Sequence, residues 1–173
     1  RDGVDEWLPA IDILVDTMSE RQTLAVPDPL LDGHSAQISA MTSEAVTTKS
    51  QRQTGFLHET FFDYAWARRF VARGGDLLQL LRDGPQDLFR RAQVRQLLAY
   101  ERAVDPARFS IDVVNLLSAG DVRPHLKVLV AALVGALPDP TAEEWTAIQS
   151  LVSDQSAIAT AFWGAVRGNV GWF

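Results

Sequence analysis

Apolar side chains recur along this chain with a helical period that proline, glycine and aspartate interrupt. Trp7, Ile11, Leu14, Val15 and Met18 fall at three- and four-residue steps, which predicts an amphipathic helix ending near Arg21. Residues 23–26 are short and apolar, and Pro27 and Pro29 break the chain after them. Leu30, Leu31, Ile38 and Met41 predict a second helical region reaching about Ser43. Residues 45–49 and 55–58 read as two short strands about the polar turn 50–54, a β-hairpin.

From Glu59 onward the pattern is helical throughout. A helix over 59–73 stops at Gly74-Gly75. Asp76 caps a short helix to Asp83. After Gly84-Pro85 a long helix is expected over 86–104, with Leu88, Phe89, Ala92, Leu97 and Tyr100 facing inward. Asp105-Pro106 opens a helix to about Ala119, and Gly120-Asp121 opens another to Leu137. Thr141 and Glu144 match a capping box ahead of Trp145, and a last helix covers about 155–167.

Two or three helices followed by a hairpin outline a winged helix, expected over residues 1–58. Asp105 and Thr141 open helices 36 residues apart at proline-containing turns. Helix pairs at that period predict an antiparallel array of the α-solenoid, HEAT-like kind over residues 59–173. The fold class expected is therefore mainly α. In helix 59–73, Phe61, Phe62, Ala65, Trp66, Phe70 and Val71 occupy most of the circumference, so burial on several sides, as a joint between the two parts, is expected.

Length and composition narrow the picture. The 173 residues suffice for one large or two small domains, and 47% hydrophobic with 22% charged residues is a globular balance. The absence of cysteine excludes disulfides, thiolate metal sites and cysteine nucleophiles and favours a reducing, cytoplasmic setting. No apolar run approaches the roughly 18 residues that cross a bilayer. The net charge of −6 conceals an asymmetry: residues 1–45 carry 2 basic and 9 acidic side chains, residues 66–102 carry 8 arginines and 4 acids. The chain begins with Arg1 and ends abruptly at Phe173, so both ends are expected to be cuts in a longer protein, the helical array being truncated at its C-terminal side.

Signatures of chemistry are sparse. There is neither a G-x-x-x-x-G-K-[ST] phosphate loop nor a G-x-G-x-x-G turn. His34, His58 and His125 lack metal-ligand spacing; His58-Glu59 begins like H-E-x-x-H, but position 62 is phenylalanine. Neither a catalytic nor a metal-binding residue is expected. A DNA-reading winged helix needs cations on its recognition helix. Residues 29–43 have no lysine or arginine, and the hairpin offers only Lys49 and Arg52. His58 stands at a strand-to-helix junction beside the N–H groups of a helix start, where it can donate to a phosphate or simply cap the turn.

The stretch "GFLHETFFDYAWARRFV" resembles the segment that closes the winged-helix domain in STAND-type NTPases, the NACHT and NB-ARC group. "LVDTMSERQTLAVPDPLLD", "MTSEAV" and "DLFRRAQVRQLLAYER" are also similar to bacterial members. The resemblance implies that His58 contacts the β-phosphate of ADP in the full-length protein and helps hold a resting state. It also implies helical repeats that sense a ligand, nucleotide exchange on sensing, oligomerisation of the parent and, in bacteria, a part in antiphage defence. This chain lacks the nucleotide-binding module. It is expected to be a non-catalytic regulatory and sensor fragment with no cofactor of its own, ADP or ATP with magnesium belonging to the parent. Its expected partners are the upstream nucleotide-binding domain and a sensed ligand of protein nature; no membrane is involved. The alternatives are a stand-alone helical-repeat interaction scaffold and, more remotely, a nucleic-acid-binding winged helix using the arginines of residues 68–102.

Overall fold

The structure, a computed structural model, describes residues 2–172; the terminal residues of both expected domains, Arg1 and Phe173, lie outside that range. It is mainly helical with one small antiparallel sheet. The chain divides into two compact units, residues 1–73 and 74–173.

In the first unit, helix α1 (Asp2–Arg21) is followed by strand β1 (Val26–Pro27), a 3-10 segment (Asp28–His34) and helix α2 (Ser35–Ser43). Strands β2 (Thr47–Ser50) and β3 (Gln53–Phe56) form the hairpin, and helix α3 (Glu59–Ala72) closes the unit. The sheet order is β1-β3-β2, all antiparallel, with Thr47 opposite Phe56 and Ser50 opposite Gln53. The turn is tighter than the sequence predicts. Only Gln51 and Arg52 lie between the strands, at φ 49° and 64°. Two successive left-handed residues match the twist of a hairpin, although neither is glycine. Leu14, Val15, Met18, Val26, Ile38 and Met41 form the core.

α3 corrects two expectations. It belongs to the first unit, so the boundary falls after Arg73 rather than after residue 58. It also buries one face, Phe62, Trp66 and Ala67, rather than its whole circumference; Tyr64 is 48% exposed. The buried face packs against α1, and Phe62 also approaches Phe56 of β3 at 6.4 Å between ring centroids. Polar Asp63 and Arg68 and half-exposed Tyr64 leave the opposite side amphipathic. Gly74, at φ 68°, supplies the left-handed residue that ends the helix.

The second unit holds helices α4 (Leu77–Arg82), α5 (Leu88–Val104), α6 (Pro106–Ser118), α7 (Pro124–Gly135), α8 (Ala142–Ile148) and α9 (Ala157–Val166). Each start has a local cause. Asp76, Asp87, Asp105 and Ser156 accept from backbone N–H groups of the first turns of α4, α5, α6 and α9. The Thr141–Glu144 capping box is complete. α7 starts later than the expected Gly120-Asp121, because Pro124 takes its first position and Arg123 the cap.

Three contacts fix helix directions. Gln86, just before α5, accepts through Oε1 from the backbone N–H of Arg123, just before α7, at 2.7 Å. Arg102, near the end of α5, pairs with Asp139 and Glu144 beyond the end of α7. Asn169, after α9, donates to carbonyls at the end of α7. α5, α7 and α9 therefore run the same way. α6 packs against α5, α7 and α8. α7 and α9 approach closely at Gly135, where a Cβ would lie 2.5 Å from the Phe162 carbonyl oxygen.

The inward face of α5 is also corrected. Leu88 is 76% exposed and Ala92 is exposed; the buried positions are Gln93, Val94, Leu97, Leu98 and Glu101. That set has helical spacing, but polar residues at two of its positions hide it from a hydrophobicity pattern.

Candidate functional site

His58 is the residue singled out by the sequence. It is the N-cap of α3, in extended conformation (φ −119°, ψ 127°), two residues after the end of β3. Its carbonyl oxygen accepts from Phe61 N–H at 3.0 Å, while its side chain makes no cap hydrogen bond. The imidazole is exposed. Phe56 and Phe61, with ring centroids 5.2 Å apart, pin the junction on either side of it. The geometry thus separates the two options left open by sequence: the side chain is not used for capping and stays available to an external acceptor. Helix N-termini attract anions, although Glu59 already places negative charge in this first turn. One imidazole and these N–H groups can meet one phosphate oxygen; they do not form a cradle for a nucleotide.

Arg69 makes intramolecular ion pairs with Asp12 and, at 2.5 Å, with Asp16. Arg73 adds a longer contact to Asp16 at 3.4 Å. Arg68, by contrast, is exposed and forms no ion pair among the described residues. On α2 no cation is present, and Lys49 and Arg52 are exposed at the hairpin.

The helical unit contains a group of charges that sequence reasoning did not assemble. Glu101 of α5 is 0% exposed. Arg108 of α6 places Nε 3.0 Å from Glu101 Oε1 and 3.7 Å from Asp112 Oδ2. No protein N–H donates to either Glu101 oxygen, and the neighbour within hydrogen-bonding reach is the Asp112 carboxyl, which needs a proton between the two. Arg108 instead donates to the Gly75 carbonyl. Burial, reinforced by the Asp112 charge, pushes the Glu101 carboxyl up to about 8. Burial also raises the Asp112 carboxyl. Near neutral pH the pair therefore holds a proton. The clue was available: Val94, Leu97, Leu98 and Glu101 share one helical stripe, and Arg108 and Asp112 lie four apart.

Arg102 anchors a second polar group. Its Nε donates to Glu144 Oε1 at 2.6 Å and its Nη1 to Asp139 Oδ1 at 2.8 Å. Glu144 is buried, and its other oxygen completes the capping box by accepting from Thr141 N–H at 2.8 Å. These bonds raise the Arg102 guanidinium above its ordinary range. Beside it an apolar groove of about 540 Å³ opens between α5 and α7.

Among the described residues no group of three or more His, Asp or Glu side chains is placed to hold a metal ion, and no helix is long and apolar enough to cross a membrane. Comparison of the chain with protein families, curated proteins and solved structures gives no match.

Proposed function

We propose that this chain is the non-catalytic regulatory and sensor region of a STAND-type NTPase. Residues 1–73 act as a winged-helix-like element, and the helices after Gly74 act as a solenoid-like array that binds what is sensed. The observation that carries the reading is His58: an exposed imidazole at the N-cap of α3 with its side chain left out of the cap. Two features of architecture support it. α1, the 3-10 segment and α2 precede the β2–β3 hairpin, the order expected of a winged helix. α5, α7 and α9 run in one direction with α6 packed among α5, α7 and α8, as stacked helix pairs would.

The mechanism is conformational. In the parent protein His58 donates to a phosphate of ADP held by an upstream module, and this contact favours the closed state. Occupation of the helical array shifts the balance towards an open, nucleotide-exchanging and oligomerising state, in bacteria as part of antiphage defence. ADP or ATP and magnesium belong to that module, and the setting is cytoplasmic.

The test is His58→Ala in the full-length protein, measuring ADP retained through purification and basal activity. A hydrogen bond to a charged group contributes about 1.5–3 kcal/mol, so ADP affinity should fall roughly ten- to a hundredfold. Unchanged ADP retention together with unchanged basal activity would remove the reading. A second reading, a partner-binding helical scaffold without a nucleotide link, is favoured by the α5–α7 groove. It predicts a full-length protein that carries no nucleotide at all. Binding to duplex DNA is disfavoured, since α2 has no cation to neutralise phosphates.

A further inference from the structure

The groove between α5 and α7 is uneven in charge. Its floor is Phe109 of α6, and its walls include Leu98 on α5 and Leu129 and Leu133 on α7. Arg102 marks one end, but its guanidinium is spent on Asp139 and Glu144. Arg95 lines the groove nearer the start of α5. It is exposed and has no ion pair or hydrogen bond among the described residues. Arg91, four residues earlier and on the same side of the helix, is likewise exposed and unpaired. On the α7 side the corresponding end carries His125, also exposed. No acidic side chain lines the groove. One end of an apolar trough is thus cationic and unsatisfied, in a protein whose net charge is −6.

We propose that this groove is a docking site for an acidic amphipathic helix of a protein partner, with apolar side chains seated on Leu98, Leu129 and Leu133 and carboxylates paired with Arg95 and Arg91. The recognition is of the helix-in-groove kind, in which apolar anchors three and four residues apart enter a preformed trough. Charge sets its polarity. Carboxylates one turn apart on the ligand match two arginines one turn apart on α5, while the Arg102 end, already neutralised by two carboxylates, repels a second acidic cluster. The inference rests on reading residues 74–173 as the partner-binding part, and it does not depend on the nucleotide contact of His58.

The experiment uses the whole chain, isotope-labelled, and a fluorescent synthetic helix with leucines at helical spacing and two glutamates one turn apart near one end. Two controls carry lysines in place of the glutamates, or the same residues scrambled. Saturable binding of the acidic helix is expected, with amide shifts concentrated at Arg95, Leu98, Leu129 and Leu133. Arg95→Glu should weaken it about tenfold and let the lysine peptide bind in its place. Arg95 is exposed and unpaired, so this variant keeps the fold, which circular dichroism checks. Leu133→Gln should weaken both peptides. Equal binding of the scrambled or lysine peptide to the unaltered chain, shifts elsewhere, no saturable binding of the acidic helix, or indifference to Arg95→Glu would each overturn the proposal. Peptide binding can fail while His58→Ala still releases ADP, and the reverse, so the two readings fail separately.

Discussion

The two units bury different things. Among the described residues, the buried polar side chains of residues 1–73 are two threonines, Thr47 and Thr54. Both are satisfied close by, Thr47 with Thr42 at 2.9 Å and Thr54 with Asp28 at 2.8 Å. Residues 74–173 bury Gln86, Gln93, Glu101 and Glu144. Gln86 alone ties three segments, donating to the carbonyls of Leu81 and Asp121 and accepting from Arg123 N–H. A core closed by apolar contacts tolerates repacking, whereas long-range polar contacts fix which helix lies against which. The difference shows where register is specified in the helical array: by polar ties between helices, since α7 and α9 are apolar over most of their surface and could slide.

The largest test of that contrast is Glu144→Ala. It removes the buried partner of Arg102 and dismantles the capping box, and removal of one partner of a buried pair costs about 3–5 kcal/mol. Arg102 retains Asp139, so a loss of about 3 kcal/mol is expected. Residue-resolved hydrogen exchange in α5 and α8 measures it, because a protein of two units has no single unfolding free energy. A loss below about 1 kcal/mol would place this tie among ordinary surface pairs and break the contrast.

Glu101 gives the next effect, with opposite sign. Its folded-state carboxyl lies at about 8, well above the ordinary 4.5. As pH rises through that window, the unfolded chain releases a proton that the folded chain keeps. Stability of the helical unit therefore falls from about pH 4.5 to about pH 8 and then levels off. Glu101→Gln removes the titration, so at pH 8 the variant should be more stable than the parent and its pH profile flatter. Exchange rates of α5 and α6 amides across pH, corrected for intrinsic rates, are the readout; an unchanged slope would refute the shared proton.

The smallest effect belongs to the first unit. Asp16→Asn removes one of the two carboxylates on Arg69, in a half-exposed pair, and should cost less than about 1 kcal/mol. Added salt should weaken the parent more than the variant, which keeps only the Asp12 carboxylate on Arg69. A cost matching that of Glu144→Ala would mean that both units are held by polar ties.

Much of this architecture could be read from residues near one another in the chain. Asp76, Asp105-Pro106 and the Thr141–Glu144 box act within one helical turn, and each opens a helix where the sequence places it. The hairpin followed from β-branched residues about a polar turn. The turn proved tighter, since positive φ at Gln51 and Arg52 is imposed by the pairing of β2 with β3 rather than by residue preference. His58 was legible as a junction residue, but whether its side chain capped α3 was decided only by the folded backbone. Glu101 shares a helical stripe with Val94, Leu97 and Leu98, but which charges of α6 would face it was not legible, since Arg108 and Asp112 lie on a separate helix.

The sequence by itself determined the helical class, the start of most helices and the strand-turn-strand element, because these depend on period, capping chemistry and turn residues acting over a few positions. Tertiary structure decided the rest. The unit boundary moved from residue 58 to Arg73 because α3 packs against α1. The inward face of α5 includes Gln93 and Glu101 because α6 and α7 pack over that side of the helix. The cationic end of the α5–α7 groove arises only when those two helices align start to start. Local chemistry chooses elements, while burial, a sum over neighbours distant in the chain, chooses the faces they present and so the surfaces left for function.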